Sequence, residues 1–289
     1  MKITSIINQK GGVGKTTTVI NVGGALALMG KKILLVDLDP QGNLSSGLNI
    51  PAQDIEKKNV YFALVGQSKL SENVCSTAIK NLYVVPSNNN LAGAEVELVD
   101  VERREFRLKE SLSEALNQYD FVFIDCPPSL GMLTLNALSA SNSFLIPMQS
   151  EFFAMQGLSN ILQTAKLVKK HLNPALEEEG VLLTMFDSRS NLSKQVYSEL
   201  RSHIGNRLYN SIIPRRVRLA ESTSHGVPGV IYDPTCFGSR SYVEVAKEFL
   251  LRSQGLKLEP IKKQTFLPPD PVDRLGNLKS PVPAEAAPH

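Results

Sequence analysis

No apolar run in this 289-residue sequence approaches the roughly 18 residues that would suggest a membrane-spanning helix. The first apolar stretch, Ile3 to Ile7, is interrupted by Thr4 and Ser5 and stops at Asn8. It is too short for the apolar region of a secretory signal. Cysteine is scarce: Cys75, Cys126 and Cys236 lie far apart, with no C-x-x-C spacing for metal or redox work. Buried, incidental thiols and a reducing cytoplasm are the expectation. Internal repeats are absent, as is any helix-turn-helix or zinc-finger spacing that would read a DNA sequence. The rest of the composition, 42% hydrophobic and 20% charged, is ordinary for a soluble globular protein.

A net charge of +3 argues for no particular partner, but its distribution is uneven. Residues 187–252 hold 10 Lys/Arg against 6 Asp/Glu, a surplus of +4, whereas residues 1–186 are at −2. A local basic patch able to touch nucleic acid is one reading of that segment, beside plain solvated surface charge. Short β-branched runs recur at Ile3–Asn8, Ile33–Val36, Leu82–Val85, Phe121–Asp125, Phe144–Pro147, Val181–Met185 and Ser211–Ile213. Between them, apolar residues at 3–4 spacing predict helices over Thr16–Met29, Leu91–Leu116, Phe152–Val168, Leu192–Ile204 and Tyr242–Leu251. Nearly continuous apolar strands alternating with helices predict an α/β fold: a mostly parallel twisted sheet with helices on both faces. One domain over residues 1–255 is expected, followed at 256–289 by a flexible tail in which prolines recur without apolar periodicity.

The chemistry begins at Lys10-Gly11-Gly12-Val13-Gly14-Lys15-Thr16-Thr17, which follows one predicted strand and opens a helix. Glycines let the chain turn so that successive N–H groups point into one concavity, and the helix N-terminus adds partial positive charge there. That context predicts a phosphate-binding loop for ATP. Lys15 is expected on the β- and γ-phosphates, the Thr16 hydroxyl on Mg²⁺, and Thr17 on the α-phosphate.

A second lysine at the start of the loop is not needed for phosphate cradling. With it, the segment resembles the deviant Walker A pattern, K-G-G-x-G-K-[ST], of the ParA/MinD ATPases. That resemblance implies that Lys10 crosses a dimer interface to the phosphates held by a partner subunit. Asp37-Leu38-Asp39-Pro40-Gln41-Gly42-Asn43 resembles the family's D-x-D-P-Q-G-N switch segment, and Phe121 to Pro128 its Walker B strand. By that likeness Asp39 orients the attacking water, Asp37 supports the Mg²⁺ shell, and Asp125 holds Mg²⁺ through water. Thr16, Asp37, Asp39 and Asp125 thus form the expected metal set. The resemblance runs from Met1 to about Leu251. Leu91-Ala92-Gly93-Ala94-Glu95, Ile213-Pro214-Arg215 and Tyr232-Asp233-Pro234 are similar to the ParA/Soj branch in particular. It implies adenine packing near Met185, Phe186, Pro214 and Arg215.

The same likeness puts Arg189 and Arg218 at DNA-contacting positions, with Lys194, Arg201, Arg216 and Arg240 as further phosphate contacts. Recruitment of charge alone predicts binding that ignores sequence. Taken together, the resemblance implies a partitioning ATPase that dimerises with Mg-ATP, binds nonspecific double-stranded DNA and is reset by a ParB-like protein. It would be cytoplasmic and nucleoid-associated. A cargo-positioning ATPase is the alternative. A MinD-like membrane role is disfavoured because a proline-rich tail supplies no amphipathic helix, and an iron–sulfur reductase because no cysteine set fits a shared cluster.

Overall fold

The computed structural model describes residues 1–113 and 118–256. Among these, the β-branched runs form one seven-stranded sheet: β1 (Lys2–Ile6), β2 (Ile33–Asp37), β3 (Cys75–Ser76), β4 (Leu82–Val85), β5 (Phe121–Asp125), β6 (Ser143–Gln149) and β7 (Glu177–Thr184). Their order is β3-β4-β2-β5-β1-β6-β7. All pairs are parallel except β3 with β4. The described helices are α1 (Lys15–Leu28), α2 (Asn43–Gly47), α3 (Ala52–Lys57), α4 (Val60–Leu64), α5 (Leu91–Glu97) and α6 (Arg107–Ser113). They continue with α7 (Met132–Ala140), α8 (Ala154–His171), α9 (Asn191–Ile204), α10 (Val217–Ser224), α11 (Gly229–Tyr232) and α12 (Phe237–Ser253).

Alternation along each strand divides the apolar residues into two cores. On β2, Leu34 and Val36 face one and Ile33 and Leu35 the other. On β5, Val122 and Ile124 oppose Phe123 in the same way. The first core is closed by α4 to α9, the second mainly by α1, α10, α11 and α12. Both faces being buried explains why the strands read as continuous apolar runs. Among the described residues, no helix is long and apolar enough to cross a membrane.

Two expectations need correction. The helix predicted over Leu91–Leu116 is broken between α5 and α6, and its last residues lie outside the described ones. Leu98 and Leu108 are both buried, but residues 100–105 offer no buried apolar residue, and Arg103 takes a left-handed φ of 57°. Without a face to bury, that stretch has little to hold it helical. The strand predicted at Ser211–Ile213 does not form. The Glu248 carboxylate accepts the Asn210 and Ser211 N–H groups, so only single bonds reach β7, such as Ile213 N–H to the Leu183 carbonyl at 2.9 Å. The short antiparallel β3 was not foreseen. Apart from Leu256, the proline-rich tail lies outside the described residues.

Helix α1 carries the phosphate loop and is seated by two glycines. A Cβ at Gly23 would stand 2.9 Å from Leu35 Cδ2, and one at Gly24 2.8 Å from Pro228 Cγ. Gly24→Val should therefore overpack the α1–α11 contact and destabilise the fold by ~1–3 kcal/mol. The check is a lower midpoint in urea unfolding with an unchanged slope.

Candidate functional site

Strands β1, β2 and β5 are neighbours, so their C-terminal ends deliver the phosphate loop, Asp37 and Asp125 to one place. Asp125 is in register with Asp37 on one side and Ile6 on the other. Ligands of open α/β sheets gather at this edge. The loop needs its glycines in detail: Gly12 and Gly14 have φ of 71° and 87°, which a side chain would strain. Its carbonyls and flanks are pinned from several directions. Thr184 Oγ1 donates to the Val13 carbonyl at 2.7 Å, and Gln149 Nε2 to the Gly12 carbonyl at 2.8 Å. Asn8 Nδ2 donates to the Pro147 carbonyl at 2.7 Å while its Oδ1 accepts the Lys10 N–H at 3.0 Å. Gly14 caps α1 with no side chain bonded to the first turn and no acidic residue there, so the leading N–H groups are left facing the loop.

The two lysines of the loop stand in opposite conditions. Lys15 is 7% exposed, and its Nζ donates to the Lys10 carbonyl at 3.2 Å. Burial lowers its pKa, while Asp125, Cys126 and Asp39 pull it back up. The Lys10 side chain is 54% exposed and ion-paired with Glu151, in the turn after β6.

Beneath the loop lie three buried carboxylates. Asp37 Oδ2 accepts the Ser45 hydroxyl at 2.7 Å and the Ser45 N–H at 2.9 Å. Burial still raises its pKa to about 6, opposed by those bonds. Asp39 Oδ1 accepts the Gln41 N–H at 3.0 Å. Asp125 is fully buried, and among the described residues neither of its oxygens has a well-formed hydrogen bond. Burial, then the Asp37 charge, pushes its pKa well up, with Thr16 and Lys15 close enough to ease the ionised form. A buried carboxylate with two unmatched oxygens calls for a ligand. Hydroxyl and carboxylate oxygens alone suit a hard divalent cation.

Opposite the carboxylates, Met185 holds a left-handed φ of 50°, and its Cε lies 3.8 Å from where a Gly14 Cβ would stand. Phe186 N–H donates to the Ile213 carbonyl at 3.0 Å and pairs with Pro214 as an isolated bridge. Arg215 N–H reaches the Phe186 carbonyl at 3.3 Å. The four residues expected around adenine are thus together beside the loop.

A sequence family described as an AAA domain matches residues 1–178. The sporulation initiation inhibitor protein Soj of Bacillus subtilis is 51% identical over 247 residues, covering 86% of this chain and 97% of that protein. The chromosome partitioning protein ParA of Myxococcus xanthus is 49% identical, covering 87% of this chain and 88% of that protein. The chain belongs to the ParA/Soj family of partitioning ATPases. Among solved structures, the cobyrinic acid a,c-diamide synthase of Mycobacterium smegmatis with bound ATP analog and magnesium superposes with a TM-score of 0.77. That match has 34% identity and covers 91% of this chain and 100% of that one.

The cations expected to meet DNA do not form one uniform group in this ParA/Soj chain. Arg189 is 84% exposed and pairs with Asp187 at 3.3 Å, and Lys194 is exposed on α9. Arg218 is exposed and pairs with Glu221 at 3.0 Å, while Arg240 is exposed on α12. Arg216 lies over the Phe237 ring, 5.9 Å from its centre. Arg201 differs: its guanidinium donates to the carbonyls of Gly205, Leu208 and Tyr209 and to Asn210, closing the turn after α9. Its donors are spent on that turn rather than turned outward to a phosphate. Sequence reasoning missed Ser45, Thr184 and Gln149, which carry no signal until the strands bring them to the loop.

The raised pKa of Asp37 makes a stability prediction for the ligand-free ATPase. The folded state favours the protonated acid, so ionisation costs stability as pH rises from the unfolded value near 4 through about 6. Asp37→Asn should stabilise the ligand-free protein above pH 6 by about 3 kcal/mol at most, seen as a higher thermal midpoint, with the gain vanishing near pH 4. Melting curves from pH 4 to 8 without magnesium would check it.

Proposed function

We propose that the chain is an ATP-driven DNA-partitioning switch, in which Mg-ATP closes two copies into a dimer that binds DNA without regard to sequence. The observation carrying this reading is the contrast between Lys15, sunk against Asp125 and Asp39, and Lys10, held outward on the surface by Glu151. A lysine serving its own loop has no reason to leave it. One that serves the phosphates of a facing copy must be reachable from outside.

In this reading, the leading N–H groups of α1 and the Lys15 ammonium hold the triphosphate, as the likeness to an ATP-analog complex supports. Thr16, Asp37, Asp39 and, through water, Asp125 would hold Mg²⁺, which would supply charge neutralisation on the transferring phosphoryl group. Asp39, tethered through the Gln41 N–H, orients the attacking water. Lys10 leaves Glu151 for the partner's phosphates and stabilises charge that spreads in the transition state. Met185, Phe186, Pro214 and Arg215 take the adenine. Closure is a switch because the γ-phosphate contacts differ between the two states. Hydrolysis, prompted by a ParB-like partner, resets it, and the protein would reside on the nucleoid.

Lys10→Ala should weaken ATP-dependent dimerisation and hydrolysis about tenfold or more while leaving nucleotide affinity within about twofold. Sedimentation with ATP, beside a fluorescent-nucleotide titration, separates the two. Collapse of binding to a single subunit would instead place Lys10 in its own loop.

DNA retention should demand ATP and fade with salt, log affinity falling by about 0.9 per phosphate contact against log salt. Arg189→Glu and Arg218→Glu should each reduce retention with basal hydrolysis nearly unchanged. Electrophoretic shifts of two unrelated duplexes over a salt series measure this. Equal binding with ADP, or a flat salt response, would refute it.

A further inference from the structure

The chain doubles back after β2, and one serine ties the far end of that segment to the acid at its start. Asp37 Oδ2 accepts two hydrogen bonds from Ser45, from the hydroxyl at 2.7 Å and from the N–H at 2.9 Å. Asp37 Oδ1 accepts the Asp39 N–H at 3.3 Å. Ser45 and Asp37 are both fully buried, so water does not compete for these bonds.

The Ser45 hydroxyl is not free to turn. Its oxygen accepts the N–H of Ser87, two residues beyond β4, at 2.9 Å. A hydroxyl carries one proton, and an amide N–H can only donate. With the amide occupying a lone pair, that proton is left for Asp37 Oδ2. The Ser87 carbonyl packs on the same segment: a Cβ at Gly42 would stand 2.9 Å from its oxygen. Gly42 also has a φ of 62°, so the chain turns tightly there because no side chain is present. The backbone of Ser87 thus clamps the segment at Gly42 and at Ser45.

This geometry divides the carboxylate of Asp37, which offers about four lone pairs. Ser45 takes both positions on Oδ2, and the Asp39 N–H takes one on Oδ1. What remains to meet a cation, or a water bound to it, lies on Oδ1. The bond from Asp39 also makes the backbone of that acid depend on how the Asp37 carboxylate is turned. Rotation of one carboxylate would therefore displace two of the three acids under the phosphate loop.

We propose that Ser45 is a positioning residue for ATP hydrolysis, fixing Asp37 so that Oδ1 faces the cation and Asp39 keeps its place. The inference rests on the metal and water roles given to Asp37 and Asp39 above. Ser45 acts only through the acid, since its hydroxyl is already spent on Oδ2 and on the Ser87 N–H. A side chain that orients a metal-ligating group is worth about 10- to 100-fold in metal affinity or activity.

The test compares Ser45→Ala with Ser46→Ala in the full chain. Ser46 is the next residue of α2, and its hydroxyl donates to the Gly42 carbonyl at 2.9 Å rather than to an acid. Each change removes one hydroxyl from the same short helix, so a general loosening of α2 shows in both. Binding of a fluorescent, non-hydrolysable ATP analogue is titrated against magnesium, without turnover. Ser45→Ala should raise the half-saturating magnesium concentration about tenfold, whereas Ser46→Ala should leave it within about twofold. Analogue affinity at saturating magnesium should stay close to wild type in both, because the phosphate loop and Lys15 are untouched. At saturating magnesium, Ser45→Ala should also lower kcat about tenfold with KM for ATP nearly unchanged, the pattern of an interaction lost in the transition state. Wild-type magnesium dependence or wild-type kcat in Ser45→Ala, or effects shared equally by Ser46→Ala, would overturn the proposal. Asp37→Asn, run beside them, separates the two readings. Wild-type magnesium dependence in Asp37→Asn defeats the metal role on which the inference rests. A shift in Asp37→Asn without one in Ser45→Ala defeats only the positioning role.

Discussion

The costliest arrangement in this protein is the set of acids under the phosphate loop. Asp37 and Asp125 are fully buried on adjacent strands, in register, with Asp39 close by. Two like charges this deep disfavour each other, and burial disfavours both. Ser45 answers part of the demand of Asp37, but within the described chain neither oxygen of Asp125 is answered by a well-formed hydrogen bond. The fold holds them because the strands on which they sit are locked between two apolar cores. Strain of this kind is the usual mark of a site built for a ligand rather than for stability.

The rest of the site serves that arrangement. The loop arches over the acids with Lys15 as their nearest cation, and β6 and β7 reach across to fix its carbonyls through Gln149 and Thr184. These strands also carry the two features proposed to change on closure. The turn after β6 holds Glu151 against Lys10, and the turn after β7 holds Met185 in a left-handed conformation beside Gly14. The proposed nucleotide contacts and the proposed dimer contacts thus share one edge of the sheet.

Charge is sorted around that edge. The basic surplus lies in residues 187–252, on α9, α12 and the connecting residues Arg207, Arg215 and Arg216, whereas α5 and its exit carry the acids.

Much of this was legible in the residues alone. Glycine spacing, the strand before it and the helix after it specified a phosphate loop. Two strands ending in aspartate specified acids at the same edge, because parallel strands all point their C-termini one way. Local rules suffice for such features, since they depend on backbone conformation and on period. What the residues could not show depended on distance along the chain. The break between α5 and α6 follows from the lack of an apolar residue that the first core could bury there, and the missing strand at 211–213 from a carboxylate 37 residues away. The roles of Ser45, Gln149 and Thr184, and the withdrawal of Arg201 into the turn after α9, are likewise matters of who stands near whom. A serine or arginine looks the same in sequence whether it faces water or a buried acid or carbonyl. Only packing decides, because the strength of a polar contact is set by the solvent that the surrounding fold removes.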